Sequence, residues 1–454
     1  MDYPALPLQA ERFPPGFVFG SATSSHQIEG SQEADGRGAS WWDHFAREPG
    51  RIADGSTAAV ACDHYRRWEA DLDLLVELRQ AAYRFSVAWP RVLPTGSGQV
   101  NQAGLDFYER LVDGLLQRGI KPMATLYHWD LPQALAERGA WQSRDTAERF
   151  AEFAQAVVRR LGDRVWRWST LNEPRCSAYV GHLEGRHAPG LKDLPSTLRA
   201  AHHLLLAHAR ALACLRSHDS RLSVGIVLDL KPYHAASPSP QDHQAAWRGD
   251  GIFNRWFLDA LYKGRYPEDI AQAYAPCMPA IEAGDLRDIS APFDHLGINY
   301  YTRAVVEHAP ALAYPHLRDL RQNHAHHSTM GWEDHPAGLL ETLRRVHQDY
   351  APKAIYLAEN GCAEPDVVAP DGQVHDHARL NYLAGHLDAC AQALAEGIPL
   401  DAYLHWSFLD NFEWGRGFTQ RFGLVHMNYA TQQRTPKNSA LAYRDFIARL
   451  SGQN

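Results

Sequence analysis

The sequence predicts an α/β fold, a single (β/α)8 TIM barrel with elaborated loops at the C-terminal face of its strands. Short apolar segments rich in β-forming residues alternate with long amphipathic segments, which indicates strands that are followed by helices. No repeat or low-complexity linker divides the 454 residues, so one domain over 1–454 is expected. A doubly wound sheet is the competing fold, but its glycine-rich phosphate loop is missing, because GSGQV at 96–100 fits a turn before a helix.

Eight segments have the length and composition of buried strands, the number that closes such a barrel. These segments are 17–22, 82–87, 121–128, 164–172, 222–229, 293–301, 354–359 and 400–407. The amphipathic segments that fit helices are 63–79, 101–118, 145–161, 196–216 and 376–396. Asn101 is the predicted N-cap of the second of these helices, and Ser143 or Asp145 opens the third.

Charge and composition exclude several classes of protein. The formal net charge of −8 argues against a nucleic-acid partner or an anionic membrane surface, and no apolar run is long enough to span a bilayer. The N-terminal residues lack the basic and apolar segments of a signal peptide, which predicts a cytoplasmic location. The six cysteines are scattered without metal-site spacing, so reduced thiols are expected, with no metal and no cofactor.

Polar and aromatic residues recur where the predicted strands end. In a (β/α)8 barrel the C-terminal ends of the strands carry the chemistry, and one polar residue there is an ordinary cap or turn. Here most of the eight strands contribute one, which favours a functional site. The residues concerned are Gln27, Arg84, His128, Asn172, Glu173, Asn299, Tyr301, Glu359 and Trp406.

Two of these residues, Glu173 and Glu359, end the fourth and seventh predicted strands. Strands so placed face each other across a closed barrel, so the two carboxyl groups can flank one bond. Glycoside hydrolysis uses such a pair, one carboxyl group to protonate the leaving oxygen and the other to attack or to activate water. Each glutamate could equally pair with a nearby arginine, so the pair alone leaves catalysis and simple ion pairing open.

Longer motifs favour catalysis. They include FVFGSATSSHQIEGS at 17–31, TLNEP at 170–174, GINYY at 297–301, ENG at 359–361 and HWSFLDNFEWGRGF at 405–418. With these blocks in this order, the chain resembles glycoside hydrolase family 1, the β-glucosidase family, over nearly its whole length.

The resemblance implies a role for each matching residue. Glu173 would be the general acid/base and Glu359 the nucleophile, which Tyr301 and Arg84 hold, with Asn299 beside the acid/base. Trp406 would form the platform under the sugar ring with Phe422 close by, and Trp332 an aromatic contact on the aglycone side. The residues that match ligands of the sugar hydroxyls are Gln27, His128, Trp129, Asn172, Glu413 and Trp414.

Electrostatics adds an expectation for the two glutamates. Arg84 and the Tyr301 hydroxyl should lower the pKa of Glu359 and keep it ionised. Glu173 faces that charge in a closed pocket, so its pKa should be raised and it should stay protonated.

The resemblance implies a retaining exo-β-glycosidase that removes terminal β-D-glucosyl residues from β-glucosides and cello-oligosaccharides in two steps. One alternative is a broad-specificity β-galactosidase/β-fucosidase or a transglycosylase on the same site. The other is a non-catalytic sugar-binding protein, which is disfavoured because both carboxylates are present. Arg175 stands where many relatives carry tryptophan, so a more polar aglycone side is expected. The expected partner is a small β-glucoside or oligosaccharide, and the sequence does not predict an oligomeric state.

Overall fold

The centre of the molecule is a closed barrel of parallel strands. The computed structural model describes residues 3–451. Its strands are β1 (Val18–Ala22), β2 (Ala82–Ser86), β3 (Lys121–Tyr127), β4 (Arg167–Asn172), β5 (Val224–Asp229), β6 (Tyr233–Ala235), β7 (His295–Asn299), β8 (Ala304–His308), β9 (Leu317–Asp319), β10 (Ile355–Asn360), β11 (Leu400–Trp406), β12 (Val425–Asn428) and β13 (Gln433–Pro436). Within those described residues, eight strands close in the order β1-β11-β10-β7-β5-β4-β3-β2. The predicted (β/α)8 barrel is confirmed.

Helices surround the barrel and connect its strands. They are α1 (Ser25–Ile28), α2 (Trp41–Phe45), α3 (His64–Glu77), α4 (Trp89–Val92), α5 (Gln102–Gln117), α6 (Gln133–Ala136), α7 (Asp145–Leu161), α8 (Leu194–His218), α9 (Pro240–Asp250), α10 (Trp256–Lys263), α11 (Glu268–Ala273), α12 (Asp285–Ile289), α13 (Pro336–Tyr350), α14 (His377–Ala395) and α15 (Asn438–Ser451). Amphipathic spacing explains the longer ones, because their apolar stripes are buried against the strands.

Two predicted helix starts differ in detail from the structure. Asn101 does precede α5, but its side chain does not cap the helix; it donates hydrogen bonds to the backbone oxygens of Asp35 and Arg91. Arg144, not Ser143, occupies the N-cap position of α7, which begins at Asp145. Local sequence alone does not decide whether Asn101 caps α5, because backbone oxygens from other segments compete for its amide donor.

Small side chains and a few large ones fill the barrel interior. Ala22, Ala82, Ala358 and Ala402 are completely buried there, together with Tyr356 and other apolar residues. Packing at this density leaves a barrel filled with side chains and not a pore. The space for a ligand therefore lies at the mouth, where the chain leaves the strands.

The C-terminal face carries the additional structure that the sequence predicts as elaborated loops. A three-stranded sheet, in the order β6-β8-β9, is built by the segments that follow β5 and β7, and β12 pairs antiparallel with β13 after β11. In residues 3–451, no helix combines the length and the apolar character needed to cross a bilayer.

Candidate active site

A cavity of about 570 Å³ opens at the C-terminal mouth of the barrel. Three of the residues predicted from the sequence, Gln27, Arg84 and Asn172, are fully or almost fully buried behind its wall. The others line it together: His128, Trp129, Glu173, Asn299, Tyr301, Trp332, Glu359, Trp406, Glu413, Trp414 and Phe422.

Glu359, near the end of β10, has a partner for each carboxylate oxygen. Arg84 Nη1 donates to Oε1 at 2.7 Å, and the Tyr301 hydroxyl donates to Oε2 at 2.7 Å. The side chains of Arg84 and Glu359 are 1% and 4% exposed, so this ion pair is shielded from water. Charge-assisted bonds of this length fix the position of the carboxylate and favour its ionised form.

Glu173 follows β4 directly, and its neighbours are of a different kind. Its backbone has a positive φ of 46°, and its amide donates to the Val227 carbonyl of the next strand. Asn299 Nδ2 donates to Oε1 at 2.5 Å, and the Cys176 thiol donates to Oε2 at 3.1 Å. Both donors are neutral, and no cation among residues 3–451 forms an ion pair with this carboxyl group.

The pKa values of both glutamates are raised, which makes the expected lowering of the pKa of Glu359 wrong in sign. Burial raises the pKa of Glu359, and Arg84, Tyr301 and Asn299 only oppose that shift. Burial, with the charges of Asp229 and Glu359, raises the pKa of Glu173 well above its usual range, as expected. Of the pair, Glu173 therefore holds a proton and Glu359, bonded to a guanidinium, is the carboxylate.

Asn172 orders the hydrogen bonds around His128. Arg84 Nη2 donates to Asn172 Oδ1 at 2.7 Å, so the amide nitrogen faces His128 Nε2, 3.1 Å away. Burial and the charge of Arg84 lower the pKa of His128, which is neutral and carries its proton on Nδ1. That Nδ1 has no hydrogen-bond partner among residues 3–451, so it is available to a ligand hydroxyl.

Glu413 lies in the loop after β11 and lines the same cavity as Glu359. Gln27 Nε2 donates to its Oε2 at 3.3 Å, and also to Asn411 Oδ1 and the Phe412 carbonyl. Burial, and then the charge of Glu359, raise the pKa of Glu413 to about 8. Two closely placed oxygens in this cavity suit a pair of neighbouring hydroxyl groups.

Aromatic rings form the floor and sides of the cavity. The Trp406 ring stacks with the His128 ring at a centroid distance of 5.7 Å, and the centroids of the Trp414 and Trp129 rings are 4.6 Å apart. The indole nitrogen of Trp129 donates to the Asn172 carbonyl at 2.9 Å, so this side chain offers its ring face to a ligand more readily than its N–H. On another side of the cavity, the centroid of the Trp332 ring lies 5.1 Å from that of Tyr301 and 6.1 Å from that of Phe422.

A glycine two residues after Glu359 allows the chain after β10 to approach the end of β11 closely. A Cβ atom on Gly361 would lie 1.9 Å from the Trp406 carbonyl oxygen, a distance that no side chain tolerates. Glycine at this position therefore allows the indole platform to lie beside Glu359.

Comparison with known proteins agrees with this geometry. Residues 9–451 match the profile of Glycosyl hydrolase family 1. The chain belongs to glycosyl hydrolase family 1. It is 44% identical over 445 residues to Beta-glucosidase A of Thermotoga maritima, covering 97% of this chain and 98% of that one. It is 42% identical over 439 residues to a 1,4-beta-D-glucan glucohydrolase of Thermotoga neapolitana, covering 96% and 98% of the two chains.

A solved structure of the family superimposes closely on this chain. The family 1 β-glucosidase from Thermotoga maritima in complex with isofagomine lactam has a TM-score of 0.94 and 42% sequence identity. The match covers 96% of this chain and 99% of the other.

Two residues beside Glu173, Cys176 and Asp229, were not among the site residues predicted from the sequence. Cys176 donates to Glu173, and Asp229 lies 3.9 Å from the same thiol and accepts a 2.6 Å hydrogen bond from Arg175 Nε. Asp229 is the last residue of β5, so the rule of polar strand ends would have identified it. Arg175, which also lines the cavity, is thus neutralised inside the protein by Asp229, and the more polar aglycone side stays a prediction.

Proposed function

We propose that this family 1 glycosidase is a retaining exo-β-glucosidase that removes terminal β-D-glucosyl residues from β-glucosides and cello-oligosaccharides. The observation that carries the proposal is the unequal pair of carboxyl groups. Glu359 has a guanidinium partner, Arg84, whereas Glu173 has only neutral donors, Asn299 and Cys176. The charge of Glu359 acts on Glu173, and Asn299 opposes the raised pKa of both groups, which supports a short separation that suits direct attack by Glu359.

In the first step the bond between the anomeric carbon and the leaving oxygen breaks. The Glu173 carboxyl group gives its proton to that oxygen while Glu359 attacks the anomeric carbon and forms a glycosyl ester. Arg84 and Tyr301 hold the attacking carboxylate in one orientation, so little motion is needed to reach the transition state.

In the second step water cleaves the ester. Glu173, now a carboxylate, takes a proton from water as the oxygen attacks the anomeric carbon, and Glu359 leaves as a carboxylate. Its raised pKa suits Glu173 for both roles, because the group can be protonated before the first step and recover its proton after the second. Two displacements at one carbon give net retention.

The sugar-binding part of the cavity supports a terminal glucosyl unit. His128 Nδ1 offers one donor, Glu413 two carboxyl oxygens, and Trp406 an apolar platform for one ring face. A broad specificity that includes β-galactosides or β-fucosides, or transglycosylation, uses the same residues and is the alternative. A non-catalytic sugar-binding protein would have no need of two carboxyl groups in such unlike environments.

Hydrolysis of a β-glucoside in an NMR tube tests the proposal directly. We expect β-glucose as the first product, before mutarotation, because each displacement inverts the anomeric carbon once. Appearance of α-glucose first would exclude the two-step reaction, and no turnover of any β-glycoside would favour the sugar-binding alternative.

Glu413→Ala should reduce kcat/KM for a 4-nitrophenyl β-glucoside by about 100-fold, since a buried polar contact to the sugar is lost. The effect on the matching β-fucoside, which lacks the 6-hydroxyl, should be much smaller. Kinetics with both substrates on both proteins measure this ratio, and Glu77→Ala, which removes an exposed carboxyl group from α3, is the control. An unchanged ratio would reduce Glu413 to a loop anchor.

Asp229→Asn should move the basic limb of the kcat/KM profile to lower pH. Glu173 is faced by Asp229, Glu359, Asn299 and Cys176, and of these Asp229 is the charge that raises its pKa most. Without that charge the pKa of Glu173 falls, so the acid is deprotonated, and activity is lost, at a lower pH. A pH series on a β-glucoside measures the limb, with Asp319→Asn, an exposed aspartate of the same cavity, as control; a limb that stays in place contradicts the assignment.

A single domain over 1–454 and a cytoplasmic location stay predictions from the sequence.

A further inference from the structure

A lysine whose ammonium has no hydrogen-bond partner among the described residues lines the cavity that also contains Glu173. Lys231 lies two residues after β5, and its ammonium forms no ion pair and no hydrogen bond with any side chain that the structure describes. Its Nζ instead lies over two rings, 4.7 Å from the centre of Phe253 and 5.1 Å from that of Tyr233. Burial lowers its pKa, which indicates that the charge is held at some cost.

The backbone of Lys231 is held firmly in this place. Asn254, which is buried, accepts a hydrogen bond from the Lys231 amide and donates one to the Lys231 carbonyl, at 3.2 and 2.8 Å. The ammonium is therefore presented to the cavity from a fixed position, with aromatic rings as its immediate surroundings.

None of the acidic groups near Lys231 forms an ion pair with its ammonium among the described residues. Arg175 lies 3.9 Å above the same Phe253 ring, but Asp229 neutralises it through a 2.6 Å contact. Glu184 forms an ion pair with Arg186. Asp319 is the acidic group that acts most strongly on Lys231, yet its side chain is exposed, and water and salt screen such a charge.

Position decides which part of a substrate this ammonium meets. Asp229 approaches the same thiol, that of Cys176, that contacts Glu173, so Lys231 and Phe253 lie on the acid/base side of the cavity. The acid/base protonates the leaving oxygen, and the group attached to that oxygen must lie on its side. Lys231 therefore faces the aglycone and not the glucosyl unit.

We propose that Lys231 makes the aglycone site selective for an aromatic leaving group that carries a carboxylate. The ring of such an aglycone would pack against Phe253 and Tyr233, and its carboxylate would complete the ion pair that Lys231 lacks. This inference rests on the proposed β-glucosidase activity.

Two substrates of nearly equal shape test it, 4-carboxyphenyl and 4-carbamoylphenyl β-D-glucoside, at pH 7. Wild-type protein should have the higher kcat/KM for the carboxylate, and Lys231→Met should reduce the carboxylate-to-amide ratio by about tenfold. Comparing the ratio between proteins cancels the intrinsic difference between the two leaving groups. Lys353→Met, at the opposite end of the barrel, removes the same charge and should leave the ratio unchanged, and Lys231→Arg should largely preserve it.

Turnover of the neutral amide glucoside separates this inference from the proposed function. If every protein hydrolyses that glucoside and Lys231→Met leaves the ratio as in the wild type, the inference is overturned and the β-glucosidase stands. The same conclusion follows if Lys353→Met lowers the ratio as much. If wild-type protein hydrolyses neither glucoside, the proposed function fails, and the inference fails with it.

Discussion

Glu359→Ala is expected to lower kcat for every β-glucoside by at least about 10⁴-fold, irrespective of the leaving group. No other carboxylate in the cavity is bonded to both a guanidinium and a tyrosine hydroxyl among the described residues, so no neighbour can replace the nucleophile. Initial rates with a dinitrophenyl and a methyl β-glucoside measure the loss. Both should fall together, since both reactions need the glycosyl ester.

Glu77→Ala, which removes an exposed carboxyl group from α3, is the matched control and should retain wild-type rates. Azide gives a second readout, because it can occupy the space left by the missing carboxylate and displace the leaving group once, giving an α-glucosyl azide. Retention of substantial activity by Glu359→Ala would show that Glu359 is not the nucleophile.

Glu173→Ala should discriminate between leaving groups. The rate with an alkyl glucoside should fall by about 10⁴-fold, because that leaving oxygen needs a proton, whereas formation of the ester from a dinitrophenyl glucoside should be only slightly slower. The ester should then accumulate, since no base activates water. Added azide, which needs no base, should restore turnover of the dinitrophenyl glucoside and give a β-glucosyl azide.

Glu184→Ala removes another carboxyl group from the same cavity wall and should leave the dependence on the leaving group unaltered. Equal losses on all substrates, with no effect of azide, would contradict the role of Glu173. Opposite anomers of the azide from the two glutamate variants would assign both roles in one experiment.

The barrel and its strands were predictable from local pattern. The predicted segment 121–128 contains β3 at Lys121–Tyr127, and 400–407 contains β11 at Leu400–Trp406. Each strand is a short apolar run between turn residues, so its position follows from neighbours in the sequence. That Glu173 and Glu359 lie at the C-terminal ends of two strands of one barrel follows from the same pattern together with the closure of the barrel.

The roles of Asp229 and Lys231 could not be predicted from local sequence pattern. Both sit at the end of a strand that the sequence locates well, and yet their importance comes from residues far along the chain. The electrostatic effect of Asp229 depends on its approach to the Cys176 thiol, and the exposure of Lys231 to a ligand depends on Phe253 and Asn254. The distances between these groups depend on the register of neighbouring strands and on loop packing, and no sequence motif specifies either.

The sequence by itself therefore determined the fold, because periodicity and strand ends are local properties, and its resemblance to family 1 indicated both catalytic candidates and the aromatic and polar residues of the predicted sugar site. Tertiary structure alone decided the sign of the pKa shift at Glu359 and the hydrogen bond that Asn299 donates to Glu173. It also decided that the ammonium of Lys231 has no ion-pair partner among the described residues. Desolvation and Coulomb energy depend on burial and on distances between groups from separate segments, and those quantities exist only once the chain has folded.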